Sequence, residues 1–144
     1  MNCVVPSISA AQKTAFVPAS ASPPTKSTEN LVAVAPPVVL SIAGYDPSAG
    51  AGVLADLKTF AAMRVYGVAC ITALTVQSTQ GVRRVVPVDP NIVVETLDCL
   101  AEDVSFSSIK VGMLGAYSVA EAVLGWLRQR PNVPVVLDPV AKSS

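Results

Sequence analysis

The chain has 144 residues, 51% of them hydrophobic and 14% charged, which is enough to bury one globular core and too apolar for a chain disordered throughout. Ten basic and ten acidic residues cancel, so no net field favours nucleic acid or an anionic membrane surface, and small-molecule chemistry is the default. Histidine is absent, which excludes Ser/His/Asp and Cys/His catalysis and histidine-based metal sites within these residues.

Residues 1–37 hold six of the twelve prolines and neither glycine nor arginine. Pro6, Pro18, Pro23, Pro24, Pro36 and Pro37 interrupt any helix and the apolar residues lack a period, so a disordered Pro/Ala/Ser-rich tail is expected there. No basic segment precedes an uninterrupted apolar core, which argues against a secretory signal. The segment is rich in serine and poor in acid, as transit peptides are, but it lacks their arginines. Leu31–Ala43 is too short and too broken by proline to span a bilayer. Cys3, Cys70 and Cys99 are odd in number and lack C-x-x-C spacing, which fits a reducing, cytoplasmic compartment. Cys70 and Cys99 read as small hydrophobes of core elements.

Val38–Ala43 reads as a buried strand that breaks at Gly44 into a turn, Tyr45-Asp46-Pro47-Ser48, after which Gly50 and Gly52 lead into a helix. A strand, a glycine turn and a helix start together make an anion-binding geometry, because unpaired backbone N–H groups point outward there and the helix dipole favours negative charge. Gly50–Ala55 also matches G-x-G-x-x-G/A. Six residues including Pro47 separate Ala43 from Gly50, however, and no acid stands at the tip of the next strand, so a nicotinamide site is disfavoured. Val53, Leu54, Leu57, Phe60 and Ala61 recur at helical spacing through Met63. Asp56, one turn after Gly52, reads either as a solvated helix residue or as a carboxylate facing the crevice over the first strand.

Val68–Val76 is a continuous apolar and β-branched run, as in a strand buried on both faces, and Gln77-Ser78-Thr79-Gln80-Gly81 ends it. Val82–Val88 is a short edge or flap strand whose Arg83 and Arg84 discourage edge pairing. Asp89 caps a helix opened by Pro90, with Ile92, Val93, Leu97 and Leu100 on its buried face through Val104. Ser108–Met113 is the next strand. Ser118 is the cap of a further helix, with Glu121 at the capping-box position and Pro131 stopping it. Val133–Leu137 is a parallel-type strand with Asp138 at its tip. The alternation predicts an α/β fold, a doubly wound and mainly parallel sheet with helices on both faces. Gly44 with Asp46, Gln77, Gly112 with Met113, and Asp138 all fall at strand C-terminal ends, where such sheets bind ligands.

The motif Ala43-Gly44-Tyr45-Asp46-Pro47-Ser48-Ala49-Gly50-Ala51-Gly52, followed by Ala55-Asp56-Leu57-Lys58-Thr59-Phe60, resembles the opening of a hydroxymethylpyrimidine/phosphomethylpyrimidine kinase. Tyr66-Gly67, Ile71-Thr72-Ala73-Leu74, Gln77-Ser78-Thr79-Gln80-Gly81, Lys110-Val111-Gly112-Met113-Leu114 and Val136-Leu137-Asp138-Pro139-Val140 follow in the family's order. The resemblance covers residues 38–144 and implies the substrate-binding, N-terminal part of a ribokinase-like kinase that uses ATP and Mg²⁺. It implies phosphorylation of 4-amino-5-hydroxymethyl-2-methylpyrimidine and of its monophosphate in thiamine biosynthesis, by a cytoplasmic homo-oligomer with no nucleic-acid or membrane partner. By position, the family's pyrimidine contacts fall on Gly44, Asp56, Gln77, Met113 and Val140, and Asp138 resembles the acid near Mg²⁺ and the phosphates. No catalytic residue is implied here. Ala49 stands where many members have glycine, and would resist a positive φ; Tyr45 stands where a small hydroxyl residue is common. A vitamin B6 kinase and a non-catalytic ligand-binding fragment are the alternatives. The family's Gly-Thr-Gly-Cys loop is absent, so the 144 residues taken alone are expected to be inactive.

Overall fold

The run beginning at Val38 offers no polar face, and the chain buries it by pairing both of its edges. In a computed structural model, which describes residues 35–139, β1 (Val38–Tyr45) is followed by α1 (Gly52–Ala62), β2 (Tyr66–Ser78), β3 (Gly81–Pro87), α2 (Pro90–Asp103), β4 (Ser108–Val111), α3 (Tyr117–Arg128) and β5 (Val135–Leu137). The expectations for the tail up to Ala33 and Val34, and for Val140, lie outside the described residues. The five strands are ordered β3-β2-β1-β4-β5, parallel except for the antiparallel edge strand β3. Val38↔Tyr66 through Ala43↔Ile71 set the register on one side of β1, and Val39↔Ser108 through Ile42↔Val111 on the other. Strand order therefore reverses at β1, with β2 built outward on one side and β4 and β5 on the other.

Alternation along β1 separates the two layers. Leu40 and Ile42 face α2 and α3, in a core with Cys70, Ile109, Val111, Val93, Leu97, Val119, Val123 and Trp126. Ser41 points to the other face, where its hydroxyl bonds Asp56 of α1; α1 packs there on β1 and β2 and buries Val53. Helices thus cover both faces. No helix among the described residues is long and apolar enough to cross a membrane.

Local chemistry explains most element ends. At α2, the Asp89 carboxylate accepts the Asn91 N–H at 2.8 Å and Pro90 occupies the first turn, as expected. At α3 the expected Ser118–Glu121 capping box is not formed: the helix begins at Tyr117, with Ala116 before it and no side-chain cap. The Glu121 carboxylate instead accepts the Tyr117 hydroxyl at 2.9 Å, so it is not turned back to the backbone.

Two burial expectations, for β2 and for Cys99, are corrected. β2 is buried or partly buried from Gly67 to Ala73, but Leu74 and Val76 are half exposed, because β1 pairs no further than Tyr45↔Leu74 and only β3 accompanies β2 beyond. Val135, Val136 and Leu137 of β5, for which no burial was expected, are exposed, since β5 lies at the edge of the described sheet and pairs only with β4. Cys99 is exposed on α2 whereas Cys70 is buried.

The end of α1 closes through two backbone bonds, Val65 N–H to the Phe60 carbonyl at 2.9 Å and Arg64 N–H to the Ala61 carbonyl at 3.1 Å. Arg64 takes φ +59° to make them, the position that glycine most often fills in this motif. Relieving the left-handed strain outweighs the added freedom of the unfolded chain, so Arg64→Gly is expected to raise stability by about 0.5–1 kcal/mol. A urea midpoint that rises with an unchanged slope is the expected result; a lower midpoint would mean that the Arg64 side chain contributes more than the strain costs.

Candidate functional site

The C-terminal ends of parallel strands point their last carbonyls and side chains into the space that opens where strand order reverses. Here that space is a cavity of about 410 Å³, within the range of small-molecule sites. Gly44, Asp56, Gln77, Met113 and Asp138, which are spread from the end of β1 to the end of β5, all line it, together with Lys110. Of the residues singled out from the sequence, only Val140 lies outside the described part of the chain.

The rim is organised by Asp46. Its side chain is almost fully buried and accepts four hydrogen bonds: from Ser48 Oγ at 2.7 Å and from the backbone N–H groups of Ser48, Ala51 and Gly50 at 2.8, 2.9 and 3.1 Å. The Ser48 hydroxyl is the main reason that the Asp46 carboxyl titrates below its ordinary range; the three amides add to it and burial opposes it. The loop amides at Gly50 and Ala51, expected to be open to an external anion, are therefore satisfied internally. Ala49 does adopt the positive φ it was expected to resist, +56°, held by its N–H on the Asp46 carbonyl at 3.0 Å and by Lys58 Nζ on its own carbonyl at 3.2 Å.

Close backbone approach explains two glycines. Gly52 has φ +59°, and a Cβ there would run into the carbonyl of Gly44. A Cβ on Gly44 would meet the terminal methyl of Met113. Met113 is in turn positioned by Thr72, whose buried hydroxyl donates to the Met113 carbonyl at 2.6 Å. The thioether thus forms an apolar wall beside a bare stretch of main chain.

Opposite the wall stands a charged cluster. Asp56 faces the cavity, and its Oδ2 accepts both Ser41 Oγ at 2.6 Å and Lys110 Nζ at 3.0 Å, leaving Oδ1 for a ligand. Lys110 Nζ also lies 3.5 Å from Asp138 Oδ2. The backbone N–H of Asp138 donates to the Val111 carbonyl at 2.8 Å, which continues the β4–β5 ladder and brings the carboxylate over the cavity. Lys110 was not singled out from the sequence. The signal was a lysine inside an otherwise apolar strand, Ser108-Ile109-Lys110-Val111, a charge that has to find a partner when its strand is buried. At the remaining side, Thr75 Oγ1 stands 2.8 Å from the Tyr45 carbonyl and 3.1 Å from Gln77 Oε1. Cys70 takes no part: burial pushes its thiol up to about 11, and it lies in the core on the face of α2 and α3.

The family profile described as phosphomethylpyrimidine kinase matches residues 46–144. The chain belongs to that family. It is 47% identical over 106 residues to a hydroxymethylpyrimidine/phosphomethylpyrimidine kinase of Aquifex aeolicus, a match covering 74% of this chain and 42% of the relative. The crystal structure of a phosphomethylpyrimidine kinase from Clostridium difficile 630 superposes with a TM-score of 0.68 at 37% identity, over 72% of this chain and 45% of that one. A pyridoxal kinase from Staphylococcus aureus, solved in complex with pyridoxal, gives 0.66 at 34% identity, over 76% of this chain and 41% of that one. The α/β sheet is that of the ribokinase-like kinases, and the kinase-family chain spans less than half the length of these relatives.

The Asp46 network carries a pH signature. Because the folded pKa is depressed below the unfolded value of about 3.9, the network's contribution to stability is present above pH ~4 and is lost as pH falls through the folded pKa. Asp46→Asn should lower stability at pH 7 and flatten the acid limb of the stability–pH curve. An acid limb as steep in the variant as in the parent would assign the slope to other carboxylates.

Proposed function

We propose that residues 38–144 form the substrate-binding part of a kinase domain, and that the complete protein phosphorylates 4-amino-5-hydroxymethyl-2-methylpyrimidine and then its monophosphate with ATP, in thiamine biosynthesis. The observation that carries this reading is the convergence, in one cavity at the C-terminal ends of the parallel strands, of a carboxylate, a primary amide and a thioether wall. An aminopyrimidine offers adjacent donors and acceptors along its ring edge, which Asp56 Oδ1 and the Gln77 amide can pair, while Met113 covers the ring face and Gly44 leaves the main chain accessible. Val140 is a further pyrimidine contact by the family resemblance alone. The similarity to a pyridoxal kinase solved with pyridoxal supports a vitamin B6 kinase as the second reading; the matching family profile and curated relatives favour the pyrimidine.

In the first transfer the substrate hydroxyl oxygen bonds the γ-phosphorus of ATP, the bond from that phosphorus to the bridging oxygen of ADP breaks, and the hydroxyl proton passes to solvent; in the second a phosphate oxygen of the monophosphate is the acceptor and ADP again leaves. The residues described here bind and orient the acceptor, and none of them is assigned the proton transfer. Mg²⁺, when bound, neutralises charge on the phosphates. Among the described residues no group of three or more His, Cys, Asp or Glu could hold a metal. Asp138, largely exposed over the cavity, fits as a single ligand beside phosphate oxygens and water, the usual manner of binding this ion. Lys110 would share Asp138 with it. The even charge balance supports an enzyme without nucleic-acid partners or an anionic membrane surface, and the free Cys70 and Cys99 support a reducing, cytoplasmic compartment; a homo-oligomer is proposed from the family resemblance alone.

The test is ATP-dependent phosphorylation by the complete protein, with the hydroxymethylpyrimidine, its monophosphate and pyridoxine compared as acceptors. Turnover of both pyrimidines and little of pyridoxine is expected, and preferential turnover of pyridoxine would replace this reading by the second. Residues 1–144 alone are expected to be inactive, since groups preorganised around the transferring phosphate are needed as well as a bound acceptor. In the complete protein Gln77→Ala should weaken pyrimidine binding by about 1–3 kcal/mol, by removing the amide partner of a buried ligand group. Unchanged affinity in a folded variant would leave Gln77 a strand-end role only.

A further inference from the structure

A threonine hydroxyl carries one proton, and Thr75 has two oxygen atoms within reach of it, the Tyr45 carbonyl at 2.8 Å and Gln77 Oε1 at 3.1 Å. The Tyr45 carbonyl can only accept, and it is the nearer of the two. Once the proton is given there, a second oxygen facing the hydroxyl is repelled, whereas an amide nitrogen would donate to its free lone pair. The two ends of a glutamine amide exchange by a half-turn about the last side-chain bond, so the hydroxyl decides which end faces it. Thr75 is placed to do this firmly: it sits on β2 directly after the last β1–β2 pair, Tyr45↔Leu74, and two residues before Gln77 on the same face of the strand.

We propose that Thr75 is a positioning residue that sets the hydrogen-bonding polarity of the site: it holds the Gln77 amide with its nitrogen against the hydroxyl, and so presents the Gln77 carbonyl and the second N–H side by side to the cavity. That pair is complementary to a ring edge with an amino group next to a ring nitrogen, because the carbonyl accepts from the amino group while the N–H donates to the ring nitrogen. Pyridoxine has no such edge. Thr75, which also lines the cavity, would therefore act on the choice between the two substrate classes through the Gln77 amide, and Tyr45, at the position where the family commonly carries a small hydroxyl residue, enters the site through its main-chain carbonyl. This inference rests on the proposed aminopyrimidine substrate.

The experiment measures binding of the hydroxymethylpyrimidine and of pyridoxine to the complete protein with Thr75, Thr75→Ser and Thr75→Val. Thr75→Val should weaken the aminopyrimidine about fivefold to tenfold, the scale of one lost hydrogen bond, and leave pyridoxine within about twofold, while Thr75→Ser should keep the parent affinity for both. Equal loss for the two ligands, or no loss for the pyrimidine, overturns the proposal. Should Thr75→Val not fold, the parent protein decides alone: a nuclear Overhauser contact between a Gln77 side-chain amide proton and the Thr75 side chain is expected, and contacts from those protons only to cavity residues such as Met113 would overturn it. Failure of the parent to bind the aminopyrimidine at all would instead count against the proposed function, and the Overhauser contact would still report the amide's orientation.

Discussion

The Asp46 carboxylate is the constraint on which the candidate site depends. Four donors converge on it from the turn that follows β1, and a loop whose amides are tied to one buried side chain has few alternative shapes. The turn delivers α1 at a fixed angle to the sheet, with Gly52 pressed on the Gly44 carbonyl, and so determines where Asp56, one turn into the helix, can reach. Burying an ionised carboxylate is costly unless each lone pair is met, and short charge-assisted bonds to backbone N–H groups meet that cost. A consequence is that the first amides of the helix region are occupied by the protein itself. The side chains that line the cavity beyond this loop stand on α1 and at the ends of the other strands.

Lys110 couples two of those side chains. It lies between Asp56, 3.0 Å away, and Asp138, 3.5 Å away, so two acidic groups share one cavity with a cation between them. Ser41 on β1 and Lys110 on β4 both reach Oδ2 of Asp56, which leaves the direction of the other oxygen defined by three secondary-structure elements. Groups held this way need little reorganisation when a ligand arrives, and much of what a binding site contributes beyond contact area comes from such preorganisation.

Much of the fold was legible because it depends on local patterns. The apolar run at Val38, the helical spacing from Val53 to Ala61 and the Asp89-Pro90 helix start are read from period and cap chemistry, and each element formed where those signals lie. The errors share a cause. Ser118 and Glu121 have the right spacing for a capping box, yet Tyr117 captured the glutamate; Leu74 and Val76 have strand composition, yet their burial depends on which neighbours run alongside. Composition reports what a segment can do, and its neighbours determine how far it is covered.

Sequence alone determined the α/β alternation, the placing of polar residues at strand ends and, through its motifs, the family. Only the tertiary structure decided that Asp46 turns inward onto its own loop, that Ala49 adopts a left-handed conformation, and that Lys110 belongs with Asp56 and Asp138. For the Lys110 cluster the physical reason is range. Period and capping act over a few residues, whereas an ion pair joining residues 56, 110 and 138 exists only after β1, β4 and β5 lie side by side and α1 has packed onto β1.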